Sequence, residues 1–202
     1  MLEIYNDMVN DMLEPRSTNL KIQTLSFRNE DSMTRVPDAK IVEVETIDDV
    51  HMILDKGSSN RHVGATKMNE RSSRSHLIFT IMVERMEESG QVKRGRLHLI
   101  DLAGSERLNR SGAEGSRATE TKAINKSLSA IGRVLASLGS NQSHVSFRDS
   151  AITRLLEDSL TGGREKSKCM MFMHVAPEAT SQSETRAALE FGKGVVDSIV
   201  RK

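Results

Sequence analysis

The chain has 202 residues, of which 37% are apolar and 3% aromatic, and its formal net charge is +1. This length suits one domain with an aliphatic core, and no apolar run reaches the ~18 residues that a membrane-spanning helix requires. The single cysteine, Cys169, excludes a disulfide within the chain and is interpreted as a small core residue. A near-neutral charge with few aromatic side chains argues against nucleic acid as a partner.

The N-terminal part of the chain combines short strands with one helix. Three segments carry a strand-like apolar pattern: 1–5, 20–25 and 40–45. Thr46 and Asp49 have the spacing of a capping box, which predicts a helix that ends at Gly57. The polar, serine-rich residues 58–75 are predicted to form a loop.

The remainder of the chain continues the alternation of strands and helices. Three further segments are predicted as strands, the last two as buried apolar runs: 76–84, 97–100 and 169–175. A turn is expected at 91–95, and apolar residues at helical spacing predict a helix from 120 to 138. Asp149 is expected to cap another helix, and Ser181 to open the last one. This order indicates an α/β fold in one domain, with helices on both faces of the sheet.

The run Asp101-Leu102-Ala103-Gly104-Ser105-Glu106 follows one of the predicted buried strands. Ligands of open α/β sheets bind at the carboxyl ends of strands, which is where Asp101 lies. An aspartate there can hold Mg²⁺, and Gly104, which lacks a Cβ, lets a backbone N–H approach phosphate oxygens. Together with the run Ser72-Ser73-Arg74-Ser75-His76, this pattern predicts two loops that sense the γ-phosphate of a nucleoside triphosphate.

Two other sequence features bear on function. The loop that cradles nucleotide phosphates, G-x-x-x-x-G-K-[ST], does not occur in the 202 residues. Between Arg107 and Arg133 the sequence has six basic and two acidic side chains. This excess of positive charge favours an acidic partner, although a solvated helix face would have the same composition.

Six motifs, in the order of one known family, make the chain resemble the C-terminal part of a kinesin motor domain. They are Leu2 to Asn6, Asn69 to His76, Asp101 to Glu106, Asn125 to Ala130, His144 to Ser150 and Thr153 to Leu160. The resemblance implies a three-layer α/β fold with a mixed central sheet, and makes residues 1–202 one partial motor domain. It also implies a motor that couples ATP binding and hydrolysis to movement on microtubules, similar to the subfamily whose motor is C-terminal.

The resemblance assigns roles in binding ATP and Mg²⁺. Ser72 and Ser73 would belong to switch I, with their hydroxyls placed to help hold Mg²⁺ and the attacking water, and Asn69 would take part in nucleotide binding. Asp101 would reach Mg²⁺ through water, and the Gly104 amide would donate to the γ-phosphate.

The resemblance also implies a latch between the two loops. Arg74 and Glu106 would form an ion pair that closes when a phosphate draws both loops inward. A bidentate arginine–carboxylate pair has a specific geometry, so it can form only when the two loops have closed.

Five residues match positions at which kinesins meet the acidic surface of tubulin: Arg107, Asn125, Lys126, Arg148 and Arg154. The resemblance therefore implies microtubules as the partner, with neither nucleic acid nor a membrane. It implies a parent protein that dimerises through a stalk outside this chain, and a location on the cytoplasmic microtubule cytoskeleton.

The chain departs from the family pattern at several places. Ala151 replaces a lysine that is expected to contact tubulin, Ser146 replaces a proline, and Gly194 lies near a usual arginine of the last helix. In the family, the nucleotide-base pocket, the phosphate loop and several central strands precede the motif found here at residues 2–5. Without them, we expect exposed strand edges and no ATP turnover by the 202 residues alone.

Two other functions were weighed against the motor. A non-catalytic microtubule-binding module would agree with Ala151 and with the missing phosphate loop, but it has little use for Ser73, Arg74 and Glu106 together. An unrelated α/β regulatory domain would require all six motif matches to be accidental.

Overall fold

The computed structural model describes residues 1–25, 33–63, 71–104, 116–140, 142–161 and 167–200. These residues belong to two units, one formed by Met1–Leu20 with Asp38–Ala103 and the other by Lys21–Pro37 with Gly104–Lys202. The single domain indicated by the sequence stays a prediction.

The described residues contain both strands and helices, in agreement with the α/β assignment, although the two types do not alternate strictly along the chain. The strands are β1 (Leu2–Tyr5), β2 (Met8–Asp11), β3 (Gln23–Leu25), β4 (Met33–Arg35), β5 (His76–Met86) and β6 (Val92–Asp101). The helices are α1 (Ile47–Val63), α2 (Ser116–Gly139), α3 (Ala151–Leu155), α4 (Glu157–Thr161) and α5 (Gln182–Val200). Short 3₁₀ turns occur at Arg71–Arg74, Phe147–Asp149 and Ala179–Ser181.

The sheet of the first unit has the strand order β2-β1-β5-β6, and its pairings are antiparallel. A two-residue turn, Asn6-Asp7, joins β1 to β2 with φ angles of 51° and 63°, a left-handed conformation that these residue types tolerate. β1 is an interior strand, so Leu2 and Ile4 are buried together with Ile78 of β5. The predicted strands at 1–5 and 76–84 are confirmed.

The hairpin of β5 and β6 contributes ten residue pairs and ends with Leu77 opposite Asp101. Its turn lies at 87–91, where Gly90 has a φ of 79° that favours glycine. The turn predicted at 91–95 is wrong, because the strand resumes at the residue after position 91.

Strand β6 is an edge strand of the described sheet. Leu97, Leu99 and Ile100 are 53%, 50% and 37% exposed. The prediction of a buried strand at 97–100 is therefore right about the strand and wrong about its burial. A continuous apolar run is buried on both faces only when other elements cover it.

Helix α1 opens with the predicted capping box. The Thr46 backbone N–H donates to Asp49 Oδ2 at 2.8 Å, and the Asp49 backbone N–H donates to Thr46 Oγ1 at 3.2 Å. The helix continues through Gly57 to Val63, so the predicted end at Gly57 is wrong. At Gly57 a Cβ atom would collide with the side chain of Met1, so this glycine permits a close contact rather than ending the helix.

Two other predictions in the first unit fail. Residues 40–45 are exposed and have no regular structure, because an alternating pattern forms a strand only beside a pairing neighbour. The loop predicted over 58–75 is wrong at 58–63, which are helical, and at 71–74, which form a 3₁₀ turn.

In the second unit, α2 confirms the helix predicted from 120 to 138 and begins four residues earlier. Ile124, Ile131 and Val134 are buried on its inner face. Helix α5 packs against α2, and the ring of Phe191 lies beside Gly132.

Residues 147–161 form one 3₁₀ turn and the two five-residue helices α3 and α4, rather than one capped helix. Asp149 lies within the 3₁₀ turn and Ser150 occupies the N-cap position of α3, so the cap predicted for Asp149 is wrong. Ile152, Leu155 and Leu156, on the inner side of these elements, are buried.

The hairpin of β3 and β4 is fastened to α3 and α4 by polar side chains. Thr34 of β4 donates from its backbone N–H and from Oγ1 to the Asp158 carboxylate. Arg154 donates from Nη2 to the carbonyl of Ile22 at 2.6 Å. Of the strand predicted at 20–25, only 23–25 is regular.

The apolar run 169–175 has no regular structure, and Met170 and Phe172 are 78% and 75% exposed. The predicted strand is wrong, because within the described ranges no strand pairs with this run. Cys169 is exposed, so its assignment to the core is wrong as well. Among the described helices, none has the length and apolarity to cross a membrane.

Replacing each of two helix-interior glycines by alanine should have different effects. Gly194→Ala should raise the free energy of unfolding by about 1 kcal/mol, because alanine favours a helix and its Cβ meets nothing within 4 Å. Gly132→Ala should give no such gain, because its Cβ would lie 3.0 Å from Phe191 Cε2. Urea unfolding followed by circular dichroism measures both, and an equal gain at the two positions would contradict the packing of α2 on α5.

Candidate functional site

Two motifs far apart in the sequence reach the same end of the sheet. The 3₁₀ turn that contains Ser72, Ser73 and Arg74 leads directly into β5, and Asp101 is the last residue of β6. Because Leu77 pairs with Asp101 in an antiparallel ladder, the entry to β5 and the exit from β6 are neighbours. The register of one hairpin therefore brings the serine–arginine motif and the aspartate together.

An imidazole joins these two segments. His76 is 3% exposed, and its Nδ1 accepts a hydrogen bond from the backbone N–H of Ala103 at 3.0 Å. Burial lowers the pKa of His76 to about 4, although Asp101 and Asp7 oppose this effect and Arg61 adds to it. The ring is therefore neutral near pH 7, with the proton on Nε2 and a lone pair on Nδ1.

Arg61, near the end of α1, binds both the candidate aspartate and the sheet interior. Its Nη1 lies 3.2 Å from Asp101 Oδ2, and its Nη2 donates to the carbonyl and the hydroxyl of Ser75 at 3.0 and 3.1 Å. Its Nε lies 3.8 Å from Glu3 Oε1, which also accepts from Ser75 Oγ at 2.8 Å. Glu3 and Ser75 are fully buried.

We call these four residues the buried charge cluster: Glu3, Arg61, Ser75 and Asp101. A buried carboxylate is costly unless a cation and hydrogen-bond donors compensate it. Here the guanidinium and the serine hydroxyl provide that compensation, and the same guanidinium continues to Asp101. The exposed carboxylate at the strand end is thereby connected to a charge inside the sheet.

The sequence motifs include His76, at the end of the run that begins at Ser72, but they predict no role for its side chain, and they assign neither Glu3 nor Arg61 to the site. Arg61 lies within a stretch that the sequence predicts to be a loop. One signal was available, because Glu3 lies between two apolar residues in a strand and a buried carboxylate there requires a cation.

The oxygen ligands at this end of the sheet fit Mg²⁺ bound together with a nucleotide. Asp101 keeps 66% of its side chain exposed, so a carboxylate oxygen is accessible from solvent. Mg²⁺ is usually bound by one or two carboxylates, hydroxyls and water together with substrate phosphates, rather than by a cage of protein ligands. In the part of the chain that the structure describes, no group of three metal-binding side chains occurs.

Several predicted site residues cannot be compared with the structure. Asn69, Glu106 and Arg107 lie outside the described residues, as does any pairing of Arg74 with Glu106. Ser72 is described by its backbone alone, and Gly104 is the first residue of the second unit. The latch between the two loops stays a prediction.

Four of the five predicted microtubule-binding residues are described, and they lie on the surface of the second unit. Asn125 and Lys126 are exposed on α2, and Arg148 is exposed in the adjoining 3₁₀ turn. Arg154 is also exposed, but its Nη2 is engaged with the carbonyl of Ile22. A structural contact thus occupies part of the Arg154 guanidinium.

Comparison with known proteins identifies the family. The family model described as Kinesin motor domain matches residues 1–197. The chain belongs to the kinesin motor-domain family. It is 43% identical over 196 residues to Kinesin-like protein KIN-14G of Arabidopsis thaliana and 44% identical over 197 residues to Kinesin-like protein KIN-14Q of Oryza sativa subsp. japonica. The alignments cover 96% of this chain and 19% and 20% of those proteins.

Solved kinesin structures have the same fold. A structure of a fast kinesin matches with a TM-score of 0.83 and 36% identity, over 96% of this chain and 53% of that one. The C-terminal motor and motor homology domain of Kar3Vik1, fused to a synthetic heterodimeric coiled coil, matches with a TM-score of 0.81 and 40% identity, over 96% and 49%. These matches confirm the kinesin-type α/β fold and agree with the resemblance to C-terminal motors. The chain spans about a fifth of the curated relatives and about half of the solved chains.

Removing one hydroxyl tests the buried charge cluster. Ser75→Ala should lower the free energy of unfolding by about 1–3 kcal/mol, because it takes one partner each from Glu3 and Arg61 in a dry site. Ser89→Ala, in the exposed turn between β5 and β6, should change it by less than about 0.5 kcal/mol. Denaturant midpoints give both values, and equal effects would show that the cluster does not stabilise the fold.

Proposed function

We propose that this chain is the part of a microtubule motor that contains its two switches and its tubulin-binding surface. ATP hydrolysis would drive the movement of the whole protein along microtubules. The observation that carries the proposal is the pairing of Leu77 with Asp101, which brings Ser73 and Arg74 close to the aspartate at one sheet end. Membership of the kinesin family supports the same reaction.

At the nucleotide, the chain would supply oxygen ligands and backbone donors. The Ser73 hydroxyl and, through water, the Asp101 carboxylate would hold Mg²⁺, which neutralises charge on the phosphates when it is bound. Asn69 and Ser72 would add polar contacts, and the Gly104 amide would donate to the γ-phosphate. Closing the Arg74–Glu106 latch would then exclude water other than the one that attacks.

Arg61 would orient Asp101 for this role. Its guanidinium is held by Glu3 and Ser75, and it presents Nη1 to Asp101 Oδ2 at 3.2 Å. A carboxylate held on one oxygen by a fixed donor keeps the other oxygen available and loses less rotational freedom on binding.

At the microtubule, the second unit would supply positive charge to an acidic surface. Asn125, Lys126 and Arg148 are exposed, which supports this assignment, and Arg107 and Arg154 would extend the surface. Because Ala151 replaces the family's lysine, we propose a weaker contact than that of kinesins that retain it. The parent protein would act as a dimer on the cytoplasmic microtubule cytoskeleton, with no role for nucleic acid or a membrane.

The second candidate function is microtubule binding without hydrolysis. It is favoured by one observation within the 202 residues, namely that Ala151 replaces a lysine of the family pattern. The two functions differ in what they require of Arg74, because a binding module without nucleotide does not need a switch arginine.

Reversing two charges should weaken microtubule binding. The double variant Lys126→Glu with Arg148→Glu should raise the dissociation constant for taxol-stabilised microtubules by about tenfold or more, because it places acidic groups against an acidic surface. Lys193→Glu, an exposed lysine of α5, should leave binding within about twofold. Cosedimentation at several salt concentrations measures both, and equal losses in the two variants would contradict the proposed surface.

A chimera tests the motor function. In it, these 202 residues replace the corresponding part of a kinesin motor domain that contains a phosphate loop, and we expect microtubule-stimulated phosphate release. Arg74→Ala should lower its kcat by about 10²-fold, because the ion pair that closes the two loops around the phosphate is lost. Arg85→Ala, an exposed arginine of β5, is the matched control and should retain the activity.

The 202 residues alone provide the reference for that experiment. They should bind microtubules but release no phosphate above the uncatalysed rate. A chimera that binds microtubules, folds and releases no phosphate would favour the non-catalytic module.

A further inference from the structure

The backbone pairing of β5 with β6 ends at Asp101, the first residue of the motif that runs from Asp101 to Glu106. The last residue pair is Leu77 with Asp101, so Leu102, Ala103 and Gly104 lie beyond the final backbone pairing. Ala103 is nonetheless buried, and a buried N–H requires an acceptor. The imidazole of His76 supplies one, with Nδ1 at 3.0 Å from the amide nitrogen.

The side chain thereby extends the ladder by two residues. His76 is the first residue of β5 and Ala103 is the second residue after β6. The contact therefore joins the end of the run Ser72–His76 to the start of the run Asp101–Glu106. Fixing the amide of Ala103 restricts the peptide between Leu102 and Ala103, and with it the path from Asp101 to Gly104. The chain also passes from the first unit to the second at Ala103–Gly104, so the fixed residue is the last one of the first unit.

We propose that His76 is a positioning residue of the nucleotide site, which holds the Asp101–Gly104 backbone through the hydrogen bond from Ala103 N–H to its Nδ1. The inference rests on the proposed function, because the held segment is the one assigned to Mg²⁺ and the γ-phosphate. His76 itself touches neither group and acts through Ala103.

The surroundings of His76 keep the acceptor in the required form. Arg61, Asp101 and Asp7 are the charged groups whose fields act on the ring, and burial keeps the ring neutral at neutral pH. A protonated Nδ1 could not accept this bond, so the proton of the neutral ring must be on Nε2. The bond therefore requires one defined tautomer, which can be observed.

Nuclear magnetic resonance on the ¹⁵N-labelled chain of 202 residues tests the link directly. We expect a scalar coupling across the hydrogen bond between the Ala103 nitrogen and His76 Nδ1, and an Nδ1 shift typical of an unprotonated nitrogen. The amide of Ala103 should exchange with solvent about tenfold faster in His76→Leu, because one buried hydrogen bond is lost. In His76→Asn exchange should stay within about threefold of the original rate, because Oδ1 of asparagine can accept in place of Nδ1.

His98 provides the matched control on the same sheet. Its Nδ1 lies 2.8 Å from Thr80 Oγ1, and the Thr80–His98 pair is three residue pairs away from the Leu77–Asp101 end of the ladder. His98→Leu should leave the exchange of Ala103 and the shift of the Gly104 amide unchanged, whereas His76→Leu should move both and His76→Asn should restore both. If His76→Asn restores both values, His76 acts by accepting a hydrogen bond, and not only by filling space in the core.

Failure of the inference can be told apart from failure of the proposed function. Unchanged exchange at Ala103 in folded His76→Leu would overturn the positioning role, whatever the chain does with magnesium. If that variant does not fold, the coupling in the original chain decides, and its absence overturns the inference. Titration with Mn²⁺ tests the function separately, because broadening at Asp101 and Gly104 is expected only if this end of the sheet binds a divalent cation.

Discussion

The antiparallel register of β5 and β6 is the constraint on which the candidate site depends. It places Leu77 opposite Asp101 and thereby joins two motifs that are otherwise separated by a long hairpin. A slip by one residue would turn every side chain to the opposite face. Two cross-strand contacts oppose such a slip, between Thr80 Oγ1 and His98 Nδ1 and between Arg94 and Glu84, both at 2.8 Å. Contacts remote from the site therefore maintain its geometry.

The buried charge cluster adds a second constraint, since it connects a charge inside the sheet to Asp101, the carboxylate proposed to take part in binding Mg²⁺. Glu3 has no access to water, so its charge depends on Arg61 and Ser75. Arg61 also binds Asp101, which is exposed. A change at Asp101 therefore alters the compensation of a charge inside the fold. An ordinary surface aspartate would have no such connection. This contact is the physical reason to regard the end of β6 as a candidate site.

Local sequence patterns predicted those parts of the fold that depend on local interactions. The capping box of α1, the long amphipathic α2 and the strand β5 follow from spacing and side-chain type. The exposure of β6 and the lack of regular structure at 169–175 could not be predicted, because burial and strand formation depend on a neighbouring element that an apolar run does not specify. At the site, motifs indicated Ser73, Arg74 and Asp101, but the roles of Arg61 and His76 arise only when α1 and β5 pack beside the end of β6.

The division of the chain into two units separates the two halves of the proposed chemistry. Asp101 ends the first unit's sheet, whereas the exposed Lys126 and Arg148 belong to the second unit. In a motor, a change at the phosphate must reach the microtubule surface, and one covalent route runs from Gly104 to α2. Glycine offers little resistance to backbone rotation, whereas Ala103 is held by His76. At this junction the described backbone therefore changes from a residue held by a hydrogen bond to a residue with few restrictions on φ and ψ.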